Sequence, residues 1–330
     1  MASALNPDRI LGELHQLWAS LAGQAAAPEK HGVMRACALT LMVFLSEGDD
    51  QAAVGQTVAE VMRDHPNRAI LVRVRPGSER VLEHRVTAQC WMPFGTREQI
   101  CCEQIEIEAS DATLPEVIPV LAAITAPDLP VVVWCRSRRM TDAAPFEPVL
   151  HIANVVIADS WGSDAAEGLG RITRLSAANA RVADLSWARV TGWREMVAQV
   201  FEDPARRALL SGLTSAGVFY SGPPAATAYY LAAWVAASLG RDDLAARIEP
   251  VAGGASDIEG VVLNGPGLAV SVTRATATAA LIEVNGIKSC ASIPRPGEAE
   301  LLAAELAISG RDTVFERTLP AAARMAGGGK

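Results

Sequence analysis

The segment VVVWC, residues 131 to 135, is apolar at every position, and NVVIAD, residues 154 to 159, is apolar over most of its length. Short strands that do not alternate between apolar and polar residues are typical of a sheet covered by helices on both faces. A third such run, ACALTLMVFL at residues 36 to 45, is about half of the roughly 20 residues that a transmembrane helix requires. Together these segments predict an α/β layer, with the third run as a strand buried on both faces.

Further strand-like segments give this layer an antiparallel portion. AILVRVR (69–75) and ERVLEHRVTAQCWM (79–92) flank Pro76-Gly77, a residue pair typical of turns. Gly95 then separates the second of them from EQICCEQIEIE at residues 98 to 108. We therefore expect an N-terminal α/β domain, residues 1–180, built on a mixed sheet flanked by helices.

The second half of the chain predicts helices followed by an antiparallel meander. AATAYYLAAWVAASLG, which Pro223-Pro224 would open, is apolar nearly all round and so indicates a central core helix. Four strand-like segments follow, and Asn285-Gly286 between the last two is a strong hairpin signal. We therefore expect a C-terminal α+β domain over residues 181–330, so that the fold class is mixed α/β and α+β.

The composition is that of a globular protein with an acidic balance. Half of the residues are hydrophobic, and 29 Lys and Arg against 37 Asp and Glu give a net charge of −8. This charge argues against nucleic acid or an anionic membrane as a partner. Charges in the first residues, where a signal peptide needs an apolar stretch, predict a cytoplasmic location. Thiols stay reduced there, so we expect the six cysteines to form no structural disulfides.

The sequence carries no recognisable motif for a metal or a cofactor. It has no CxxC pair, and its five histidines are scattered, whereas zinc sites need four ligands that usually come in close pairs. It also has no HExxH and no GxxxxGK[ST], and GLGRIT misses the spacing of a dinucleotide fingerprint. We therefore expect no metal, no cofactor and no catalytic residues.

The cysteine doublet in EQICCEQIEIE raises the question of a redox or structural role. Alternate strand residues share a face, so Cys101 and Cys102 point to opposite sides and are poorly placed to bond to each other. The simplest interpretation is that both are small apolar packing residues. Glu103 stands on the otherwise apolar face of Cys101 and, if buried, needs a cationic partner. The candidates are Arg73, Arg75 and Arg85; the alternative is an edge strand with one solvated side.

Two segments hold candidate binding residues. Arg136, Arg138 and Arg139 lie just past the strand VVVWC, and Asp159 and Ser160 lie just past the next one. Ligands of open α/β sheets collect beyond the carboxyl ends of strands, so the arginines are candidates to hold a sugar phosphate or an acidic partner surface, although a solvated loop is the simpler alternative.

The second candidate segment is VTGWREM, which contains Trp193, Arg194 and Glu195. Tryptophan and arginine dominate the energetics of protein–protein interfaces, which favours a partner-binding role. Trp193 has an equally good alternative, which is to pack between the two domains.

Several segments in order resemble the glucose-6-phosphate dehydrogenase assembly protein OpcA family. The resemblance rests on RACALTLMVF, HPNRAILV (65–72), QICCEQIEI (99–107), LPVVVWCR (129–136), ADLSWARVTGWREMVAQVFEDP (183–204) and YYLAAWVAASLG (229–240).

The resemblance implies a non-enzymatic role as a partner that binds glucose-6-phosphate dehydrogenase, promotes its assembly and raises its activity in the oxidative pentose phosphate pathway. It also implies redox control through cysteines of the later region in some members; here that region has only Cys290, which cannot form an intramolecular disulfide within its domain. The alternative that the residues leave open is a sugar-phosphate-binding or -processing enzyme, such as an isomerase or lactonase, because arginines and Asp159 follow strand ends.

Overall fold

The computed structural model describes residues 5–25, 32–95, 98–142, 144–179, 181–222, 225–241, 244–252 and 257–328. Its contacts divide the chain into two compact units. The first unit comprises Met1–Ala158, Ala178–Ala183 and Glu298–Ala307, and the second comprises Asp159–Ala177, Asp184–Gly297 and Ile308–Lys330. The division into domains 1–180 and 181–330 stays a prediction, and Pro223-Pro224 lies outside the described residues.

The helices and strands alternate through the first unit and separate into groups in the second. In chain order they are α1 (Pro7–Ala25), β1 (Gly32–Arg35), β2 (Leu39–Leu45), α2 (Gln51–Val61), β3 (Asn67–Arg75), β4 (Leu82–Trp91), β5 (Glu98–Ser110), α3 (Leu114–Ala123), β6 (Val131–Cys135), α4 (Arg138–Asp142), α5 (Glu147–Ile152), β7 (Val155–Ala158), α6 (Ala165–Ala178), β8 (Val182–Asp184), α7 (Leu185–Arg189), α8 (Thr191–Val200), α9 (Pro204–Arg207), β9 (Ser215–Ser221), α10 (Ala226–Leu239), β10 (Ala245–Pro250), β11 (Asp257–Gly265), β12 (Leu268–Arg274), β13 (Ala279–Val284), β14 (Ile287–Ser292), α11 (Glu298–Ala307) and α12 (Thr313–Gly327). The predicted mixed α/β class is confirmed.

The first unit is built on one sheet whose strand order is β1-β5-β3-β2-β6-β7-β8, with β4 paired antiparallel to β5. Strands β5, β3, β2, β6 and β7 run parallel to one another. Counted from β2 and without the antiparallel β4, the order is 3-2-1-4-5-6, which is that of the doubly wound dinucleotide-binding fold. The uniform apolar character of β2, β6 and β7 is explained, because every residue of these strands is buried.

The second unit contains a six-stranded sheet of order β10-β9-β11-β12-β13-β14. Strands β11 to β14 form the antiparallel meander, and β9 extends it antiparallel to β11, while β10 pairs parallel to β9. Helix α10 packs on β9, β10 and β11. It ends at Gly240, whose φ of 63° is the left-handed conformation that glycine adopts without strain at a helix C-terminus. Among the described residues, no helix is both long and apolar enough to cross a bilayer.

Candidate functional site

The carboxyl ends of β2 and β6 meet at the point where the strand order of the first sheet reverses. In doubly wound folds this switch point is where a ligand binds. Arg136 follows β6, and both its amide and that of Ser137 donate to the carbonyl of Phe44 in β2, at 3.1 Å. The loop of residues 46–50 follows β2 and leads into α2. The crevice therefore lies between this loop and Arg136.

The guanidinium of Arg136 lies at this crevice and is bound by two carboxylates. Its Nε and Nη2 donate to the two carboxylate oxygens of Asp49 at 2.8 and 2.7 Å, and its Nη1 donates to Glu298 of α11. The guanidinium carbon also lies 4.8 Å from the ring centroid of Trp134. Burial acts to lower the pKa of Arg136, but the hydrogen bonds to Asp49 and Glu298 outweigh it and raise the pKa above its ordinary value. The arginine is thus a permanent cation held by two carboxylates.

The loop after β2 is acidic where a dinucleotide-binding fold carries glycines and backbone amides. Asp50 caps α2 by accepting from the amides of Ala52 and Ala53 at 2.9 and 3.4 Å. Asp49 accepts from the amide of Ser46 at 2.7 Å, and its carbonyl accepts from Arg73 at 2.8 Å. Burial acts to raise the pKa of Asp49, yet the hydrogen bond from Arg136 overcomes it and lowers the pKa. Carboxylates therefore occupy the place where phosphate oxygens would bind.

The three arginines that the sequence singles out do not converge on one ligand. Arg136 is half-buried in the crevice, whereas Arg138 and Arg139 are exposed at the start of α4. Arg139 pairs with Asp111, and both side chains are about 40 % exposed. The partner-binding role of the three arginines stays a prediction. Arg136 lies in the crevice, and Arg138 and Arg139 form an exposed group that we call the rim.

The expectation that no cysteine forms a disulfide is wrong for Cys101. Cys90 of β4 stands directly opposite it in the antiparallel register, with Cα atoms 4.1 Å apart, and the two are bonded. The sequence showed that Cys101 and Cys102 face opposite sides but not which residue of β4 lies opposite Cys101. Cys102 is buried as a free thiol, and burial raises its pKa to about 11.

Glu103 is buried, with 2 % of its surface exposed, and it has cationic partners other than the predicted ones. Arg68 Nε donates to it at 2.5 Å, Arg35 lies at 2.6 Å, and Trp18 Nε1 donates at 2.5 Å. The parallel register pairs Ala69 with Gln104, which brings Arg68 beside Glu103. The three arginines proposed from the sequence are wrong, because Arg73 binds a carbonyl, Arg75 pairs with Glu108 and Arg85 pairs with Glu106.

The residues of VTGWREM lie at different depths. Trp193 is 2 % exposed, and the guanidinium carbon of Arg274 lies 5.3 Å from its ring centroid. Arg194 stacks on Trp187 at 3.6 Å and donates to Thr191 Oγ1, so both large side chains of this segment contribute to the packing of the second unit. The partner-binding role of these residues stays a prediction; Glu195 is exposed, Arg194 is half-buried and Trp193 is buried.

Two neighbouring aspartates lie at the ends of β7 and β8, and the sequence identified only the first of them. The carboxylate of Asp159 accepts hydrogen bonds from both terminal nitrogens of Arg189, at 2.7 and 2.8 Å. Asp184 is fully buried and accepts from Tyr230 Oη at 2.8 Å and from the amide of Ser160 at 3.0 Å. Burial, and then the charge of Asp159, raise the pKa of Asp184. The signal missed in the sequence was an aspartate immediately before a short helix, since Asp184 also caps α7.

The strand order and the crevice define a doubly wound α/β protein that has an arginine paired with two carboxylates at its switch point. Residues 58–176 match the family described as the glucose-6-phosphate dehydrogenase subunit N-terminal domain, and residues 180–319 match the C-terminal domain of the same subunit. The chain belongs to this OpcA family. The resemblance found in the sequence is therefore confirmed.

The chain is also similar to relatives that carry the name OxPP cycle protein OpcA. The chain is 24 % identical to the one from Synechocystis sp. over 262 residues, which is 78 % of this chain and 49 % of that protein. It is 28 % identical to the one from Nostoc punctiforme over 182 residues, 54 % of this chain and 39 % of that protein. The matches thus span about half the length of these relatives or less.

Solved structures show a weak similarity. The 3-ketoreductase KijD10 from Actinomadura kijaniata, in complex with NADP, is 11 % identical, with a TM-score of 0.48 over 90 % of this chain and 96 % of that chain. The aldose-aldose oxidoreductase from Caulobacter crescentus is 12 % identical, with a TM-score of 0.46 over 88 % of this chain and 96 % of that chain. At this level the similarity supports no statement about the activity of this chain.

Proposed function

We propose that the chain is a non-enzymatic assembly factor and allosteric activator of glucose-6-phosphate dehydrogenase. The observation that carries the proposal is the switch-point crevice, in which Asp49 and Glu298 hold Arg136 where a substrate or cofactor would have to bind. Membership of a family described by subunits of this dehydrogenase supports the identity of the partner. The proposal includes the oxidative pentose phosphate pathway and the cytoplasm as the setting.

An activator must bind the active form of its partner more tightly than the inactive form, because only differential affinity shifts an equilibrium. A typical coupling free energy of about 1–3 kcal/mol corresponds to a change of roughly 5- to 150-fold in substrate affinity. The chain therefore needs a surface that recognises one arrangement of the dehydrogenase. On the first unit we assign this role to the exposed rim at Arg138 and Arg139, with Arg136 supporting it from beneath. On the second unit we assign a separate contact to Glu195, which Trp193 and Arg194 would support.

The test mixes the purified chain with its cognate dehydrogenase. Light scattering should show a complex heavier than the dehydrogenase alone, and the rate at low glucose 6-phosphate should rise. Unchanged mass together with an unchanged rate would contradict the proposal.

A matched pair of variants tests the rim. Arg139 and Arg80 each form a surface ion pair with a carboxylate and are 42 and 44 % exposed. Arg139→Glu should weaken the complex by about tenfold, whereas Arg80→Glu should change it much less at high salt, where a charge that makes no contact across the interface no longer steers association. Equal effects of the two substitutions would remove the rim from the interface.

The alternative function, a sugar-phosphate-processing enzyme, has less support. The groups that motivate it are engaged within the chain: Arg136 by two carboxylates, and Asp159 by Arg189. Calorimetry with glucose 6-phosphate or 6-phosphogluconolactone in the absence of the dehydrogenase distinguishes the two functions. Binding heat or turnover would favour the enzyme, and no heat would favour the assembly factor.

A further inference from the structure

One face of the six-stranded sheet of the second unit carries partly apolar side chains that remain half-buried or exposed. On the opposite face, which α10 contacts, alternate residues of the central strands are buried, among them Val218, Val261 and Val272. Their neighbours Phe219 and Val262, which point the other way, are half-buried. We call this second side the open face.

The strand register arranges the open face in two parallel rows. The first row runs across all six strands as Arg247, Gly217, Val262, Ser271, Glu283 and Lys288. The second row runs beside it as Glu249, Phe219, Gly260, Thr273, Leu281 and Cys290. The centre of the open face is therefore apolar or small, and charges lie at its two edges.

Phe219 makes the centre of this face flat. A Cβ atom built on Gly217 would lie 3.5 Å from its ring, and one built on Gly260 would lie 3.8 Å from it. The ring thus covers both glycines and extends towards Thr273, whose Cγ2 lies 3.2 Å from the same point on Gly260. A flat apolar platform edged by charges is a surface suited to packing against another sheet.

The edge charges are arranged in pairs. Arg247 and Glu249 lie 4.0 Å apart on β10, with side chains 78 and 49 % exposed. At the other edge Lys288 lies 3.7 Å from Glu283. Each edge therefore carries one positive and one negative charge. On β10 the positive charge lies in the first row and the negative charge in the second.

We propose that the open face is a self-association surface, on which a second copy of the chain packs face to face about a two-fold axis that runs across the strands. Such an axis places the first row of one copy over the second row of the other. Arg247 then faces Glu249 of the second copy, and Glu249 faces its Arg247, so that the charges on β10 are complementary at both places. The Glu283–Lys288 pair faces neutral residues and stays paired within its own chain.

The size of the open face fits this occupant. Six strands spaced about 4.8 Å apart, with about six residues each at ~3.3 Å per residue, span roughly 29 by 20 Å. Two copies would bury roughly 1,200 Å² in total, which is the lower end of stable specific interfaces. A face of this size and self-complementary charge pattern favours a second copy over an unrelated partner. The proposal is independent of the proposed action on the dehydrogenase.

The test measures the mass of the chain alone by light scattering, over a hundredfold range of concentration. The expected mass at the upper end is twice that of a single chain. Val262→Lys, at the centre of the face, should give a monomer. Ile287→Lys is the matched control, because Ile287 is 75 % exposed in the same sheet and belongs by register to the opposite side.

Charge exchange keeps the test decisive if Val262→Lys fails to fold. Arg247→Glu alone should weaken dimerisation by about tenfold or more, because glutamates then face each other. Adding Glu249→Arg to it should restore the dimer, since the complementary pairs re-form with opposite polarity. A wild-type chain that stays monomeric throughout, or a double variant no better than the single one, would overturn the proposal. It would also be overturned if Val262→Lys abolished binding of the dehydrogenase while the wild-type chain was a monomer, because the face would then belong to the dehydrogenase.

Discussion

Replacing Glu103 by Gln should destabilise the first unit strongly, because Glu103 is the carboxylate that pairs with the buried Arg68 among the residues that the structure describes. Arg68 is 5 % exposed, and its Nη1 donates to the carbonyls of Ile124 and Thr125, which are neutral. Glutamine keeps the size and one acceptor oxygen, so the hydrogen bond from Trp18 Nε1 can survive. The substitution therefore isolates the loss of charge from the loss of volume.

The magnitude follows from the burial of the pair. Breaking a buried ion pair by removing one partner costs about 3–5 kcal/mol, because the other charge is left without compensation. Arg35, the second cation on Glu103, is 50 % exposed and can be solvated by water, so the lower end of that range applies. At roughly 2–4 °C per kcal/mol for a unit of this size, the melting temperature of the first unit should fall by about 6–12 °C.

Calorimetric melting measures the effect, and Glu108→Gln is the control. Glu108 lies on the same strand and pairs with Arg75, which is 59 % exposed, so this surface pair is worth only about 0–1 kcal/mol. Glu103→Gln combined with Arg68→Met should recover part of the lost stability, because no unpaired charge remains. Equal melting temperatures for Glu103→Gln and Glu108→Gln would refute the reasoning, since buried and exposed pairs would then contribute alike.

Three further measurements test other parts of the structure. Because the pKa of Asp49 is lowered, its ion pair stabilises the fold fully at pH values above the ordinary pKa of 3.8. This contribution is lost as the pH falls through the lowered pKa. Asp49→Asn should therefore flatten the pH dependence of the free energy of unfolding, measured by urea denaturation, below pH 4. In the single chain, at low concentration, Cys290 is exposed and should react first with a thiol reagent, whereas Cys102, with its pKa of about 11, should react only on unfolding. Rapid modification of Cys102 would contradict its burial. Trp193→Ala should cost about 3–5 kcal/mol in thermal stability as a core truncation, while Glu195→Ala should change it by less than about 0.5 kcal/mol.

Strands could be predicted from the sequence where burial on both faces makes nearly every residue apolar. VVVWC and the VVIA of NVVIAD are apolar because both faces of β6 and β7 are covered, and the core helix α10 is apolar nearly all round for the same reason. The order of the strands was not predictable in this way. Periodicity describes the two faces of one strand and contains no information about which strand pairs with its edges.

The errors at individual residues have this same origin. Cys90 bonds Cys101, and Arg68 binds Glu103, because of the registers of β4 and β3 on β5. A shift of one residue in the register of β4 would remove Cys90 from Cys101, and the same shift in β3 would remove Arg68 from Glu103. The ion pair between Glu298 and Arg136 could not be predicted for a further reason, because the two residues are 162 positions apart in the sequence. Pattern within a segment locates a candidate residue, but its partner depends on the topology.

The loop after β2 carries carboxylates at the position where a doubly wound fold of this strand order binds a phosphate. In such a fold the first amides of the helix after the first strand bind a phosphate, whose negative charge compensates the helix dipole. Here Asp50 accepts from those amides of α2, and Asp49 supplies negative charge to Arg136, which follows the neighbouring strand β6. The chain's own carboxylates thus meet the electrostatic needs of the switch point, so these groups contribute to the stability of the fold itself. Arg136→Ala would leave both carboxylates in place, and for that reason it would not create a phosphate site.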